Sequence, residues 1–176
     1  MKRNILPIAI LLAFSILLTI VNYFWIQNNL SHLPPPWDQS AYLYMSLHEY
    51  EALSHGNIRQ FIDIVLKQAP NLAPLFPITA LPFFALFGLD IYTAYLANSL
   101  YLFILFLSVF FITEQLAGRK AAILSVFTVA TFPAVIAFSR DYLFEFPLAA
   151  MTALSYLFLL KSEAFQKKKY SILLSD

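Results

Sequence analysis

Three carboxylates and one guanidinium are the groups in this 176-residue chain best suited to chemistry. Asp38 follows Pro34-Pro35-Pro36-Trp37, and Arg140, Asp141 and Glu145 crowd one short polar interval between two apolar runs. Carboxylates brought to one place can take a proton from a hydroxyl or amine nucleophile, or hold a divalent cation. A neighbouring guanidinium can grip a phosphate. Each group also has a structural use. Asp38 stands where a helix N-cap belongs, and Asp141 and Glu145 can be hydrated loop residues near the positive end of a helix dipole. Arg140 can pair with Asp141. Other chemistries are closed off. With no cysteine there is no disulfide, thiolate metal site or cysteine nucleophile. No Gly-rich phosphate loop, nucleophile elbow or HExxH motif occurs. His48, Glu49 and His55 fit no standard zinc spacing. No cofactor is therefore expected, although the carboxylates are compatible with a divalent metal.

The elements that must position these groups are membrane helices. The chain is 60% hydrophobic and 12% charged, with mean hydropathy +0.71. Soluble domains carry about a quarter charged residues. A domain of this size leaves much of its surface wet, so lipid is the natural solvent for the excess apolar surface. A spanning helix needs about 20 mainly apolar residues. Segments 4–25, 91–116, 121–139 and 142–160 meet this, and a fifth starts at 170. The first run is longer than a secretory h-region and lacks a small-residue cleavage site, so it reads as an uncleaved span. A net charge of +1 without a long basic block offers nothing to nucleic acid.

Lys and Arg set the orientation. Lys2 and Arg3 put the N-terminus in the cytoplasm. Arg119 and Lys120 mark a second cytoplasmic loop, and Lys161, Lys167, Lys168 and Lys169 a third. Counting crossings with Arg119 and Lys120 inside, segment 73–88 is not a full span; the rival threading, with 73–88 crossing fully, would put Arg119 and Lys120 outside. The segment is short and broken by Pro74, Pro77 and Pro82, and is expected as a re-entrant or interfacial segment. The region 26–90 is then extracytoplasmic, and Asp38, Asp141 and Glu145 share that side of the membrane. Within this outer loop a helix is predicted over about 38–54. A second, over 57–68, is capped by Asn57 and ended by Pro70. Ile58, Phe61, Ile62, Val65 and Leu66 form one face of the second helix, and Arg59, Gln60, Asp63 and Lys67 the other. Such a helix can lie along a membrane surface.

The order of these features resembles the N-terminal part of GT-C type membrane glycosyltransferases, in the branch of dolichyl-phosphate-mannose protein mannosyltransferases and aminoarabinose transferases. The resemblance rests on Trp37-Asp38-Gln39-Ser40-Ala41-Tyr42 after the first span and on the proline-containing stretch from Ala73 to Leu86-Phe87-Gly88. The basic turn Leu116-Ala117-Gly118-Arg119-Lys120 and the sequence Ser139-Arg140 followed by Glu145-Phe146-Pro147-Leu148 complete it. Many relatives have Glu where Gln39 stands, Asp where Glu145 stands, and a His ahead of the proline stretch where this chain has Leu72 and Ala73. The resemblance implies an all-α, polytopic transmembrane helical bundle, of which this chain is the N-terminal piece. It implies transfer of a sugar from a polyprenyl-phosphate carrier to a lipid, glycan or protein acceptor outside the cytoplasm. Asp38 would be the catalytic base. Glu145, with Asp141 as the competing choice, would be the second acidic residue. Arg140 and Tyr42 would bind substrate. The competing class is a non-catalytic multi-pass subunit or transporter fragment whose outer loop binds a partner. A transporter would place polar or broken helices at mid-membrane, and ionisable residues are almost absent from the centres of these spans.

Overall fold

Helix is the sole regular structure among the residues described by the computed structural model, which are 5–30, 32–67 and 73–162. The expected start of a fifth span at 170, the basic residues Lys167–Lys169 and the stop at Pro70 lie outside them. Among the described residues, two helical stretches are long and apolar enough to cross a membrane. The first is α1, Ile5–Leu30. The second runs from α6 (Ile91–Ala94) through a 3₁₀ turn at Tyr95–Ala97 into α7 (Asn98–Ala117). In α1 the side chains of Leu6, Ile10, Leu17, Ile20 and Phe24 are exposed. That much large apolar surface is costly in water and is satisfied by hydrocarbon.

Between these stretches lie four helices, each traceable to local sequence. α2 (Trp37–Ser54) starts after the proline triplet, with Pro36 as N-cap. Asp38 is therefore inside the first helical turn and makes no cap bond, so the expected N-cap role is corrected. The reason is that Pro36, with an extended ψ of 158°, takes the cap position itself: it has no N–H to satisfy, and its carbonyl accepts the first helical bond from the Ser40 amide at 2.8 Å. α3 (Ile58–Lys67) is capped as expected: Asn57 Oδ1 accepts from the Gln60 amide at 3.1 Å. The apolar stretch 73–88 divides into α4 (Leu75–Ile78) and α5 (Leu81–Phe87). Gly88, at φ +94°, ends α5 in a conformation that a side chain would resist. Asp90 then caps α6 through the Tyr92 amide at 3.1 Å.

The remaining helices are α8 (Arg119–Thr131), α9 (Pro133–Phe138) and α10 (Glu145–Lys161). The segment expected as one helix over 121–139 is thus two. Phe132 adopts an extended ψ of 125° because Pro133 disfavours helix in the residue before it. α10 begins at Glu145 rather than 142 and tolerates Pro147 because the first turn lacks internal N–H bonds to lose.

The chain forms two compact units. One contains Met1–Leu17, Ser99–Ala137 and Glu145–Asp176; Phe14 stacks on Phe106 within it at 5.5 Å. The other contains Leu18–Asn98 and Phe138–Phe144. Its core is aromatic. Phe76 meets Tyr142 at 4.6 Å and Tyr42 at 5.3 Å, while Tyr50 meets Phe84 at 5.5 Å. Each such pair contributes about 0.5–1.5 kcal/mol beyond burial alone. These contacts hold α2 against α4 and α5.

Candidate functional site

The second unit gathers polar side chains from α1, α2, the start of the α6–α7 stretch and the turn Phe138–Phe144. Gln39, on the buried face of α2, is the hub. Its Nε2 donates to Asp141 Oδ1 at 3.0 Å, and its Oε1 accepts from the Tyr95 hydroxyl at 2.9 Å. A carboxylate only accepts, so the amide has one sensible orientation and both of its ends are used. Asn98 holds the same turn by its backbone. Its Nδ2 donates to the carbonyls of Ser139 at 3.0 Å and Asp141 at 2.9 Å.

Asn22 performs the matching task from α1. Its Nδ2 donates to Ser139 Oγ at 2.8 Å, and its Oδ1 accepts from Arg140 Nε at 2.9 Å. Arg140 also lies over the Trp25 ring, 4.2 Å from the centroid. Its position is thus fixed by one hydrogen bond and one cation–π contact. It forms no ion pair with Asp141 or with any other carboxylate among the described residues. The guanidinium's remaining N–H groups are left for another acceptor. Partial burial pulls the Arg140 pKa below its ordinary value, but a guanidinium stays charged in proteins.

The candidate residues divide as follows. Asp141 is tied through Gln39 to α2, the helix that carries Asp38 and Tyr42. Asp38 is exposed in the first turn of α2. Tyr42 is buried one helical turn further on, where its hydroxyl accepts from the Ala73 amide at 3.4 Å and its ring faces Phe76 and Phe144. Glu145 is exposed in the first turn of α10 and belongs to the other unit. His48 bonds the Tyr44 carbonyl of its own helix at 2.9 Å. Among the described residues no three His, Asp or Glu side chains gather closely enough to hold a metal ion.

Sequence reasoning missed Asn22, Trp25, Tyr95 and Asn98, and noted Gln39 only as a departure from a family pattern. A signal existed for two of them. Asn22 and Asn98 are amides inside otherwise apolar helices, and a polar group there is expensive unless it has work to do.

Residues 70–175, more than half of the chain, match the family model for dolichyl-phosphate-mannose-protein mannosyltransferase. The matched stretch contains Arg140, Asp141 and Glu145, while Asp38 and Tyr42 precede it. No curated protein and no solved structure matches the chain. An all-helical fold with span-length apolar helices, the ordered motifs from Trp37 to Leu148 and this match agree: the chain belongs to the dolichyl-phosphate-mannose-protein mannosyltransferase family of GT-C type membrane glycosyltransferases.

Proposed function

We propose that this chain supplies the acceptor-activating and phosphate-holding side of a membrane glycosyltransferase that takes its sugar from a polyprenyl-phosphate carrier. The acceptor is a lipid, glycan or protein on the extracytoplasmic face. The observation that carries this reading is Arg140: a positioned cation, held by Asn22 and Trp25 and paired with no carboxylate among the described residues. Asp141 stands next to it in sequence, held separately by Gln39.

The chemistry asks for such parts. An acceptor hydroxyl must lose its proton as the bond between sugar and phosphate breaks, and the departing phosphate gathers negative charge. Asp38, exposed in the first turn of α2, is the general base. Arg140 meets the leaving phosphate with N–H donors in fork geometry. Asp141, in the same unit as Asp38, orients the acceptor or supports the base. Tyr42, packed against Phe76 and Phe144 one turn beyond Asp38, positions the turn of α2 that carries the base. A carrier dissolved in the bilayer also explains why such a site would stand at a membrane face.

The test uses the full-length enzyme in lipid nanodiscs with a polyprenyl-phosphate sugar. Asp38→Asn is expected to lower turnover by about 10²–10⁴-fold, the range for loss of a general base, with membrane insertion unchanged. Arg140→Ala is expected to cost about 10²–10³-fold. Full activity in Asp38→Asn removes that residue from the mechanism. Full activity in Arg140→Ala removes the phosphate role.

A further inference from the structure

The buried face of α2 carries a polar stripe of Gln39, Tyr42, Ser46 and Glu49, spaced three or four residues apart. Three of the four are satisfied. Gln39 bonds Asp141 and Tyr95, Tyr42 accepts from Ala73, and Ser46 Oγ donates to the Tyr42 and Leu43 carbonyls at 3.1 and 3.0 Å. Glu49 is the exception. It is 0% exposed, and neither carboxyl oxygen has a hydrogen-bond partner. An ionised carboxylate in such a place would be far costlier than a neutral acid.

The geometry points to Glu49 as a proton-loaded latch: the neutral carboxyl lets α2 close on α4 and α5, and losing the proton favours release of that side of the helix. Two aromatic contacts make the closure. Tyr42–Phe76 ties α2 to α4 and Tyr50–Phe84 ties it to α5, on either side of Glu49 in sequence. No charge in the surroundings sets the titration. α4 and α5 hold no ionisable group, and α6 holds only Tyr92. α3 has Arg59, Asp63 and Lys67, the 3₁₀ turn has Tyr95, the turn Phe138–Phe144 has Arg140, Asp141 and Tyr142, and α2 itself has Asp38, Tyr42, Tyr44, His48, Tyr50 and Glu51. Burial alone raises the Glu49 pKa from 4.5 to about 8.

The sign follows from linkage. In the closed form Glu49 keeps its proton up to about pH 8, whereas in an open, hydrated form it loses it near 4.5. Opening therefore releases a proton across that window. The opening equilibrium should grow about tenfold per pH unit between 4.5 and about 8, then level off. The closed form is thus firmest at the acid end, and the latch is spent above pH 8. This inference stands apart from the sugar-transfer reading, because its measurement is structural.

Amide exchange of the chain in lipid nanodiscs tests it. The ratio of wild-type to Glu49→Gln exchange rates at the α5 amides cancels the intrinsic pH dependence. That ratio is expected to climb by on the order of a thousandfold between pH 4.5 and 8, then plateau, while α7 amides stay at a ratio near one. A ratio independent of pH overturns the latch. Glu49→Met, apolar and of similar length, serves if the Gln variant folds poorly, and is expected to give the same result. Wild type alone supplies a further check by infrared titration of a chain labelled at glutamate. A protonated-carboxyl band should persist above neutrality and vanish near pH 8. Its absence at neutral pH also overturns the latch.

Discussion

Gln39 shows how much rests on one amide. Its two ends serve Asp141 and Tyr95 at once, which only a group with both a donor and an acceptor can do. Gln39→Leu keeps most of the bulk and strands two polar groups. It is expected to lower stability by about 1–3 kcal/mol, read as a drop in melting temperature in detergent. Gln39→Glu should be worse for the site, since a carboxylate would face the Asp141 carboxylate across a hydrogen-bond distance. The same logic applies to Asn22, which fixes Ser139 and Arg140 together. Asn22→Leu should leave the helix intact and release Arg140. In the full-length enzyme the expected outcome is a raised KM for the lipid-linked sugar with a smaller change in kcat. An unchanged KM would detach Asn22 from carrier binding.

At the scale of elements, two sequence features decide where helices stop. Gly118, at φ +84°, separates α7 from α8. A methyl group at this position would meet nothing within 4 Å, so the obstacle is the backbone angle alone. Gly118→Ala is expected to cost about 1 kcal/mol, measured by thermal unfolding. The second feature is Pro133, which divides one expected span into α8 and α9. α3 poses a different question. It buries none of its residues, and Ile58, Ile62 and Leu66 are exposed along one face. The lone ion pair seen on it, Lys67 with Asp63 at 2.8 Å, is exposed and contributes little. We expect this face to rest in the headgroup region. A Leu66→Trp variant in vesicles should show fluorescence quenched by brominated lipid, and emission like that of tryptophan in water would remove α3 from the membrane surface.

At the scale of the molecule, family membership makes the protein integral to a membrane, and the distribution of Lys and Arg proposes how it is threaded. Cysteines introduced at Asp63 and Lys120 test this in intact cells. A reagent that cannot cross the membrane should label the first and spare the second. Labelling of both, or of Lys120→Cys alone, would overturn the orientation. The stretch 73–88 matters most to that map. It forms two short helices, α4 and α5, shorter together than a bilayer-spanning helix requires. We propose that it dips into the membrane or lies along its surface without crossing it.

Composition and patterning determined the solvent of this protein, its all-helical class and the outline of its long helices. Those properties depend on apolar content and 3.6-residue periodicity, which are local and additive along the chain. The ordered motifs around Asp38, Ser139-Arg140 and Glu145-Phe146-Pro147 also sufficed to reach the family. Tertiary structure alone decided which polar groups meet. Gln39 joins Asp141 across 102 positions of sequence, and Asn22 joins Arg140 across 118. No local pattern encodes such a pairing. It arises because buried amides in apolar helices must find partners, and the fold determines which partners are in reach. Glu49 is the same rule seen from the other side. In the sequence it is one polar residue of a mixed helix, and only the packing of α2 left its carboxyl without a partner.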